Sequence, residues 1–341
     1  MMNKKVISLI MAVLLSLTLF GCSGADDTAN KNSEKEQIAA KPEFNLRFSH
    51  VNDPSHPFHL GGEKFAELVE EKTNSGVKIN IFPSGQLGSH RDLLESMQAG
   101  TIDFDVLSTG PLANWVPEIG VLDLPYLFTD EQEAYKVLDS EAVKQLVKPL
   151  EEHGLKVIAF WAAGFRNVTN NVKPINSVED MKDLKIRVME APVYIDLMRS
   201  WKANPTPMAF GEVYTALQQG VIDGQENYVS SIASNRLYEV QKYVAMTKHT
   251  YSAAPVVMSL KTWEKLPSEY QEALTEAIQE ATVYQRGVED QKHDEFLQMF
   301  NEKGVNITEP DLASFEEAAK VVWEKYGPDF QKWIDEFEKI K

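Results

Sequence analysis

The stretch Met97-Gln98-Ala99-Gly100-Thr101-Ile102-Asp103 has a counterpart later in the chain, Leu217-Gln218-Gln219-Gly220-Val221-Ile222-Asp223. Each stretch is typical of the end of a helix, a glycine that caps it and the start of a strand. If the likeness reflects a repeat, the two halves of the chain offer equivalent strand ends to a shared cleft, where α/β sheets bind ligands. Any helix–glycine–strand junction can look like this, so the residues alone leave both interpretations open.

The segments around the first stretch alternate between strand and helix patterns. Residues 44–48 and 77–82 alternate apolar and polar side chains as strands do. Residues 62–72 and 91–99 carry the apolar spacing of amphipathic helices. Strands that alternate with helices predict an α/β protein with helices on both faces of its sheet.

The later segments extend this pattern. Residues 155–162 form an apolar run typical of a buried strand, and residues 244–260 are predicted to be extended chain that crosses back to the first half. The helical pattern over 268–300 is long enough to brace both halves. Two acidic amphipathic helices are predicted at the end, over 311–326 and 329–341.

Length and charge limit the possible partners. The chain has 341 residues, which is more than one compact core usually holds and enough for two lobes. Its formal net charge is -17, and nucleic acid is therefore not expected as a partner, because phosphate binding needs a basic face. An anionic ligand would have to be held by a few local cations against the overall field.

The first residues are typical of an export signal. Lys4 and Lys5 precede an apolar run over residues 6–20, which is too short for a comfortable membrane span. We predict a signal peptide over 1–21, followed by a polar, flexible tether over 22–43.

Cys22 is the single cysteine of the chain. The stretch Leu19-Phe20-Gly21-Cys22 resembles a bacterial lipobox, although Phe20 is bulkier than the usual residue there. The resemblance implies that Cys22 is diacylated and anchors the protein to the cell membrane, because two or more acyl chains make a stable anchor. A cysteine that stands at the end of the signal by chance is the alternative.

Three polar stretches follow predicted core strands, over residues 164–171, 185–190 and 223–227. Arg187 follows Ile186 in an apolar strand that should be buried, and a buried arginine needs an anion. The anion is either a neighbouring carboxylate, for which Glu190 and Glu226 are available, or a ligand carboxylate. On the residues alone a structural salt bridge is slightly favoured.

From about residue 44 to 341 the chain contains many short motifs in a distinctive order and spacing. They are Phe82-Pro83-Ser84-Gly85-Gln86-Leu87-Gly88, Gly100-Thr101-Ile102-Asp103, Pro125-Tyr126, Gly164-Phe165-Arg166, Leu184-Lys185-Ile186-Arg187-Val188, the run 205–214, the run 220–227, the run 238–243 and His249. In these motifs the chain resembles the extracytoplasmic solute-binding proteins of tripartite ATP-independent periplasmic (TRAP) transporters, the DctP-type family.

The resemblance implies roles for individual residues. The arginine that Arg187 matches pairs with the ligand carboxylate through its planar fork, which a lysine cannot reproduce. Arg166 and Asn227 match residues that help to hold the same group, and Phe210 matches a phenylalanine that packs against the ligand carbon skeleton.

Further ligand contacts are expected from both lobes. They are His50, His90, Arg91, Ser108, Glu190 and His249. The position of His90 is commonly acidic in relatives, and a histidine changes which hydroxyl groups or charges are accepted. The identity of the ligand is therefore most open at this position.

The resemblance also implies a two-lobed, periplasmic-binding-protein-like α/β fold (a Venus flytrap) with a long bridging helix. Lobe I is expected over 44–163 plus 252–292, and lobe II over 164–251 plus 293–341. Hinge closure of the lobes would bury the ligand. A monomer is expected.

The function implied is binding and delivery without catalysis. The partners would be a small carboxylate ligand and the small and large TRAP membrane subunits, and transport would be driven by an ion gradient. A sugar acid such as a hexuronate is the first choice of ligand, a C4-dicarboxylate the second and sialic acid the third.

Two other functions stay open. A secreted sugar-acid enzyme is disfavoured because the chain has no nucleophile elbow or phosphate loop. A lipoprotein that only senses its ligand is the other alternative. No cofactor is expected, and no metal either, because the spacing of His50, His56 and His59 matches no standard zinc pattern.

A first prediction concerns the anchor. Replacing Cys22→Ala removes the site of acylation, so the protein should move from the membrane fraction to the soluble fraction of fractionated cells. A Ser23→Ala variant should stay with the membrane. Retention of the Cys22→Ala protein on membranes without any acyl group would contradict the lipobox.

Overall fold

The computed structural model describes residues 42–341. The predicted signal peptide, Cys22 and nearly all of the tether lie outside the described residues. The strands are β1 (Phe44–Ser49), β2 (Val77–Phe82), β3 (Phe104–Val106), β4 (Leu155–Asn170), β5 (Lys185–Val188), β6 (Asn204–Pro207), β7 (Gly224–Tyr228), β8 (Tyr243–Ala245), β9 (Tyr251–Ser259) and β10 (Asn306–Thr308).

The α-helices are interleaved with these strands, as the alternating pattern predicts. They are α1 (Pro57–Lys72), α2 (His90–Ala99), α3 (Glu131–Leu138), α4 (Glu141–Val147), α5 (Pro192–Ser200), α6 (Val213–Gln218), α7 (Val229–Ser234), α8 (Leu260–Lys265), α9 (Ser268–Glu302) and α10 (Leu312–Glu338). Short 3₁₀ turns connect several of them.

One strand, β4, joins two halves of a mixed sheet whose main order is β2-β1-β3-β9-β4-β7-β5-β6. Its first part pairs with β9, and its last five residues pair with β7. The register shifts between Ala162 and Phe165, where Gly164 has a φ of 86° that favours glycine. The chain therefore has the two-lobed α/β architecture that the sequence predicts, while the residue boundaries of the lobes stay a prediction.

The continuity of β4 corrects one expectation. Residues 164–171 were expected where a core strand ends, but residues 164–170 lie inside β4. The strand continues because the register shift at Gly164 lets it leave β9 and pair with β7. Its polar side chains consequently lie in the middle of the molecule and are buried, as Arg166 and Asn167 are.

The two similar stretches over residues 97–103 and 217–223 fold alike. Gly100 and Gly220 have φ angles of 79° and 69°, and each follows a helix and precedes a strand. The Asp103 carboxylate accepts a hydrogen bond from the backbone N–H of Arg47 at 2.7 Å, and the Asp223 carboxylate accepts one from Lys185 N–H at 2.8 Å. The likeness in sequence therefore reflects equivalent junctions in the two halves of the sheet.

Helix α9 is the long helix that the sequence predicts over 268–300. It packs against α1 and β4 on one side of the β4 register shift and against α7 and β10 on the other. Gln285 fixes it to β4 by two buried hydrogen bonds, since its Oε1 accepts from Ala162 N–H and its Nε2 donates to Ala162 C=O, both at 2.8 Å.

The prediction of two C-terminal helices is wrong, because α10 is one helix with Pro328 inside it. Proline removes one backbone donor and usually breaks or kinks a helix. Here the buried stripe runs through the proline, from Phe315 and Val322 to Phe330 and Phe337, and its packing outweighs the local cost. Within residues 42–341, no helix is both long and apolar enough to cross a membrane.

A second prediction tests whether Gln285 stabilises the protein by fixing α9 to β4. Gln285→Met keeps the volume but leaves the N–H and C=O of Ala162 buried without partners, at roughly 1–3 kcal/mol for each group. We expect urea unfolding to show a loss of about 2 kcal/mol or more in the free energy of unfolding. Gln291→Met on the same helix should change it little, because Gln291 bonds only the exposed Glu295. Equal stabilities of the two variants would contradict the role of Gln285.

Candidate functional site

A cavity of about 790 Å³ is lined from both halves of the sheet. The first half contributes the start of α2 and the segment after β3, and the second half contributes β4, β5, β7 and the segment before α6. Most of the predicted ligand contacts line it. They are Arg187, Arg166, Asn227, Phe210, His90, Arg91, Ser108 and Glu190.

Arg187 on β5 is buried, with 3% of its surface exposed. Its Nε and Nη2 donate to the carbonyl of Met208 at 2.9 and 2.7 Å, and no carboxylate within residues 42–341 lies in ion-pair distance of it. Burial lowers the pKa of Arg187 to about 10, so the guanidinium is still charged at neutral pH. Its Nη1 has no hydrogen-bond partner in this part of the chain, and a cation in that state favours an anion in the cavity.

Two neighbours complete this wall of the cavity. The Phe210 ring lies 5.9 Å from the Arg187 guanidinium carbon and covers it from one side. The Asn227 side chain accepts the N–H of Tyr228 through Oδ1 at 3.1 Å, and its amide nitrogen makes no hydrogen bond with any described residue. A carboxylate on Arg187 could thus also accept from Asn227, with carbon atoms against Phe210.

Arg166 has a different environment, although it lines the same cavity. It forms a buried ion pair with Glu226, with Nη2 donating to Oε1 at 3.0 Å and Nε donating to Oε2. Burial alone would lower the pKa of Arg166, but Glu226 raises it above the usual range. The structural salt bridge that the sequence allowed for Arg187 is therefore made by Arg166 instead.

His249 and Ser108 are linked to this ion pair. His249 is fully buried with its Nε2 3.2 Å from Glu226, and it does not line the cavity. Ser108 does line the cavity, and its hydroxyl lies 3.1 Å from that of Ser252, which is 3.4 Å from Arg166 Nη1.

His50 is also absent from the lining. It is fully buried at the end of β1 with its Nε2 3.1 Å from His59 Nδ1, and burial lowers its pKa to about 3. His50 is therefore a neutral, buried side chain that does not contact the cavity. In the described residues, no set of three or more histidine, cysteine or acidic side chains is arranged to hold a metal ion.

Two exposed charges stand at the rim. Arg91 on α2 pairs with Glu95 at 3.2 Å, and three quarters of its side chain are exposed. Glu190 follows β5 and is also exposed. Both line the cavity, but neither is held in one place as firmly as Arg187.

Sequence reasoning missed Asp105, a fully buried carboxylate on β3. Its Oδ2 lies 2.8 Å from Nδ1 of His90, which lines the cavity. The signal was present, because an acidic residue inside the apolar run 104–107 is a buried charge that needs a partner.

Comparison with known proteins gives two close structures. One is a TRAP periplasmic solute-binding protein from Polaromonas sp. JS666 bound to D-erythronate, 35% identical, with a TM-score of 0.85 and coverage of 87% of this chain and 99% of that one. The other, from Sulfitobacter sp. NAS-14.1 with bound β-D-galacturonate, is 35% identical, with a TM-score of 0.83 and coverage of 86% and 99%.

A relative from Bacillus subtilis strain 168, the C4-dicarboxylate-binding protein DctB, is 32% identical over 311 residues, 89% of each chain. The family model DctP, described as bacterial extracellular solute-binding protein, family 7, matches residues 48–329. The chain therefore belongs to the DctP family of TRAP solute-binding proteins.

Proposed function

We propose that this protein is the lipid-anchored, extracytoplasmic solute-binding subunit of a TRAP transporter, which captures a sugar acid such as a hexuronate and delivers it to the membrane subunits. Binding involves no catalysis in this proposal. The main support for this proposal is that Arg187 is buried and that its charge has no protein counter-ion among the described residues.

The ligand carboxylate supplies the missing anion. The Met208 carbonyl holds one edge of the guanidinium, and Nη1, which has no partner among the described residues, can donate to the ligand. Each charge-assisted hydrogen bond contributes roughly 1.5–3 kcal/mol. Three such bonds at the upper end of this range total about 9 kcal/mol, which corresponds to about micromolar affinity, even in a chain with a net charge of -17.

The rest of the cavity suits a hydroxylated carbon chain. Phe210 offers an apolar face, and polar groups from Asn227, Ser108 and His90 surround it. The structures with erythronate and galacturonate, both hydroxylated monocarboxylates, support this ligand class for a chain that is 35% identical to each protein.

A C4-dicarboxylate is the second candidate. The relative from Bacillus subtilis, which is named as a C4-dicarboxylate-binding protein, supports it. In either case closure of the two halves over the ligand would present the loaded form to the membrane subunits. Cys22 would keep the protein beside them.

A third prediction tests this function. Calorimetry of the soluble chain with D-galacturonate should show binding, and Arg187→Lys should weaken it about tenfold or more while the fold is kept. A lysine cannot both bond the Met208 carbonyl and meet two carboxylate oxygens. Arg199→Lys is the matched control and should bind as the unchanged chain does, because Arg199 is an exposed residue of α5 paired with Asp196.

Three other outcomes of these binding measurements would contradict or change the proposal. Unchanged affinity in Arg187→Lys would overturn the assignment of Arg187. Binding of succinate without binding of D-galacturonate, D-glucuronate or D-galactonate would replace the sugar acid by the dicarboxylate. No binding of any of these acids by the unchanged chain would contradict carboxylate capture itself.

A further inference from the structure

Asn52 is a buried amide in the wall of the cavity, in the loop that follows β1. It is 2% exposed and lines the cavity, as do Arg187 at 3% and Asn227 at 4%. Its backbone carbonyl accepts the N–H of Ser84, which follows β2, at 2.8 Å. The first half of the sheet therefore holds the Asn52 side chain at a defined place in the cavity wall.

Asn235, which follows α7 in the second half, contacts this loop, and backbone groups set the orientation of its amide. Its Oδ1 accepts the N–H of Asp53 at 3.1 Å, and its Nδ2 donates to the carbonyl of Ser231 at 3.0 Å. The reversed amide would face a backbone donor with its nitrogen and a backbone acceptor with its oxygen. The hydrogen bonds therefore allow only one orientation of the Asn235 amide.

Asn235 in turn fixes the amide of Asn52. Its Nδ2 donates a second hydrogen bond, at 3.0 Å, to Asn52 Oδ1, which also accepts from the Ser231 hydroxyl at 3.4 Å. The reversed Asn52 amide would bring two NH₂ groups together, and neither group can accept. Nδ2 is therefore the other end of the Asn52 amide, and it has no hydrogen-bond acceptor within residues 42–341.

The side chains beside this free donor are neutral. Burial raises the pKa of Tyr228, so its hydroxyl stays protonated, and it lies beside the Asn52 amide without a hydrogen bond of 3.5 Å or less between them. The neighbouring residue Asp53 is an acid, and its carboxylate bonds Ser55. A ligand carboxylate at Asn52 Nδ2 would thus be buried without a cation, whereas a ligand hydroxyl needs none.

The arginines that line the cavity are engaged by other groups. Arg166 is neutralised by Glu226, and Arg91 bonds an acid of its own helix. Arg187 holds the ligand carboxylate in the proposed function. None of the three makes a hydrogen bond with the Asn52 side chain. Asn52 therefore adds to the cavity a donor that carries no charge.

We propose that Asn52 is a specificity-determining ligand contact, whose Nδ2 donates to a hydroxyl oxygen of the sugar acid held at Arg187. Asn235 is the positioning residue that leaves this nitrogen free for the ligand. The contact rests on the proposed function and adds to it a group that recognises a hydroxyl. A hydroxyl can accept from Asn52 Nδ2 and donate to the Tyr228 oxygen at the same time, which a carboxylate cannot do.

A fourth prediction concerns Asn52→Leu, which removes the donor at nearly the same volume. Calorimetry of the soluble chain should show about tenfold weaker binding of D-galacturonate, because a ligand hydroxyl is buried without its donor. The four D-galacturonates that each lack one hydroxyl, at C1, C2, C3 or C4, identify the contact. One of them should bind the unchanged chain about tenfold more weakly than D-galacturonate, and this difference should disappear in Asn52→Leu.

Asn80→Leu is the matched control and should bind as the unchanged chain does, because Asn80 is a half-buried asparagine of β2 that does not line the cavity. A merely structural role of Asn52 would weaken D-galacturonate and all four deoxy acids by the same factor, and this result would overturn the contact. Unchanged affinity in Asn52→Leu would also overturn it. Arg187→Lys would still weaken binding in both cases. Failure of the unchanged chain to bind D-galacturonate would overturn the proposed hexuronate together with the contact.

A measurement on the unchanged chain covers an Asn52→Leu variant that does not fold. In a crystal structure with D-galacturonate, a hydroxyl oxygen of the ligand should lie within about 3 Å of Asn52 Nδ2, while Asn235 still donates to Asn52 Oδ1. A bound ligand with no hydroxyl at this nitrogen, or an Asn52 Nδ2 that bonds a protein group instead, would overturn the contact.

Discussion

The buried positive charge of Arg187 is the constraint on which the rest of the site depends. A guanidinium with 3% of its surface exposed and no described carboxylate within ion-pair distance is costly unless an anion binds to it. The Met208 carbonyl holds the group but cannot neutralise it. In the proposed function the ligand supplies this anion, which explains how a chain with a net charge of -17 would bind an acid.

The fold serves to hold that charge at the meeting point of two half-sheets. Strand β4 passes from one half to the other. The backbone conformation of Gly164, with its positive φ, lets the strand change its pairing partner from β9 to β7. Helix α9 packs across this point and is tied to it by Gln285. Arg166 lies on β4 just beyond the shift, and Glu226 neutralises its charge. Of the two arginines that are buried within residues 42–341, Arg187 is the one without a counter-ion.

Sequence patterns predicted much of this architecture because they report local physics. Periodicity predicted most of the elements, and the paired Gly100 and Gly220 junctions recur in the structure with matching aspartate hydrogen bonds. Pro328 led to the wrong prediction of two C-terminal helices. The free-energy cost of a proline in a helix is local, whereas the packing of α10 depends on residues distant in sequence. The sequence could not predict either which carboxylate pairs with which buried arginine. Glu226 could have served either arginine, and only the pairing of β4 with β7 places it beside Arg166.

A crystal structure of the chain with D-galacturonate would show whether Arg187 holds the ligand. We expect the ligand carboxylate within about 3 Å of Arg187 Nη1, while Met208 keeps its bonds to Nε and Nη2. The ion pair of Arg166 with Glu226 should be unchanged. A carboxylate bound away from Arg187, with the guanidinium still lacking an anion, would contradict capture by Arg187.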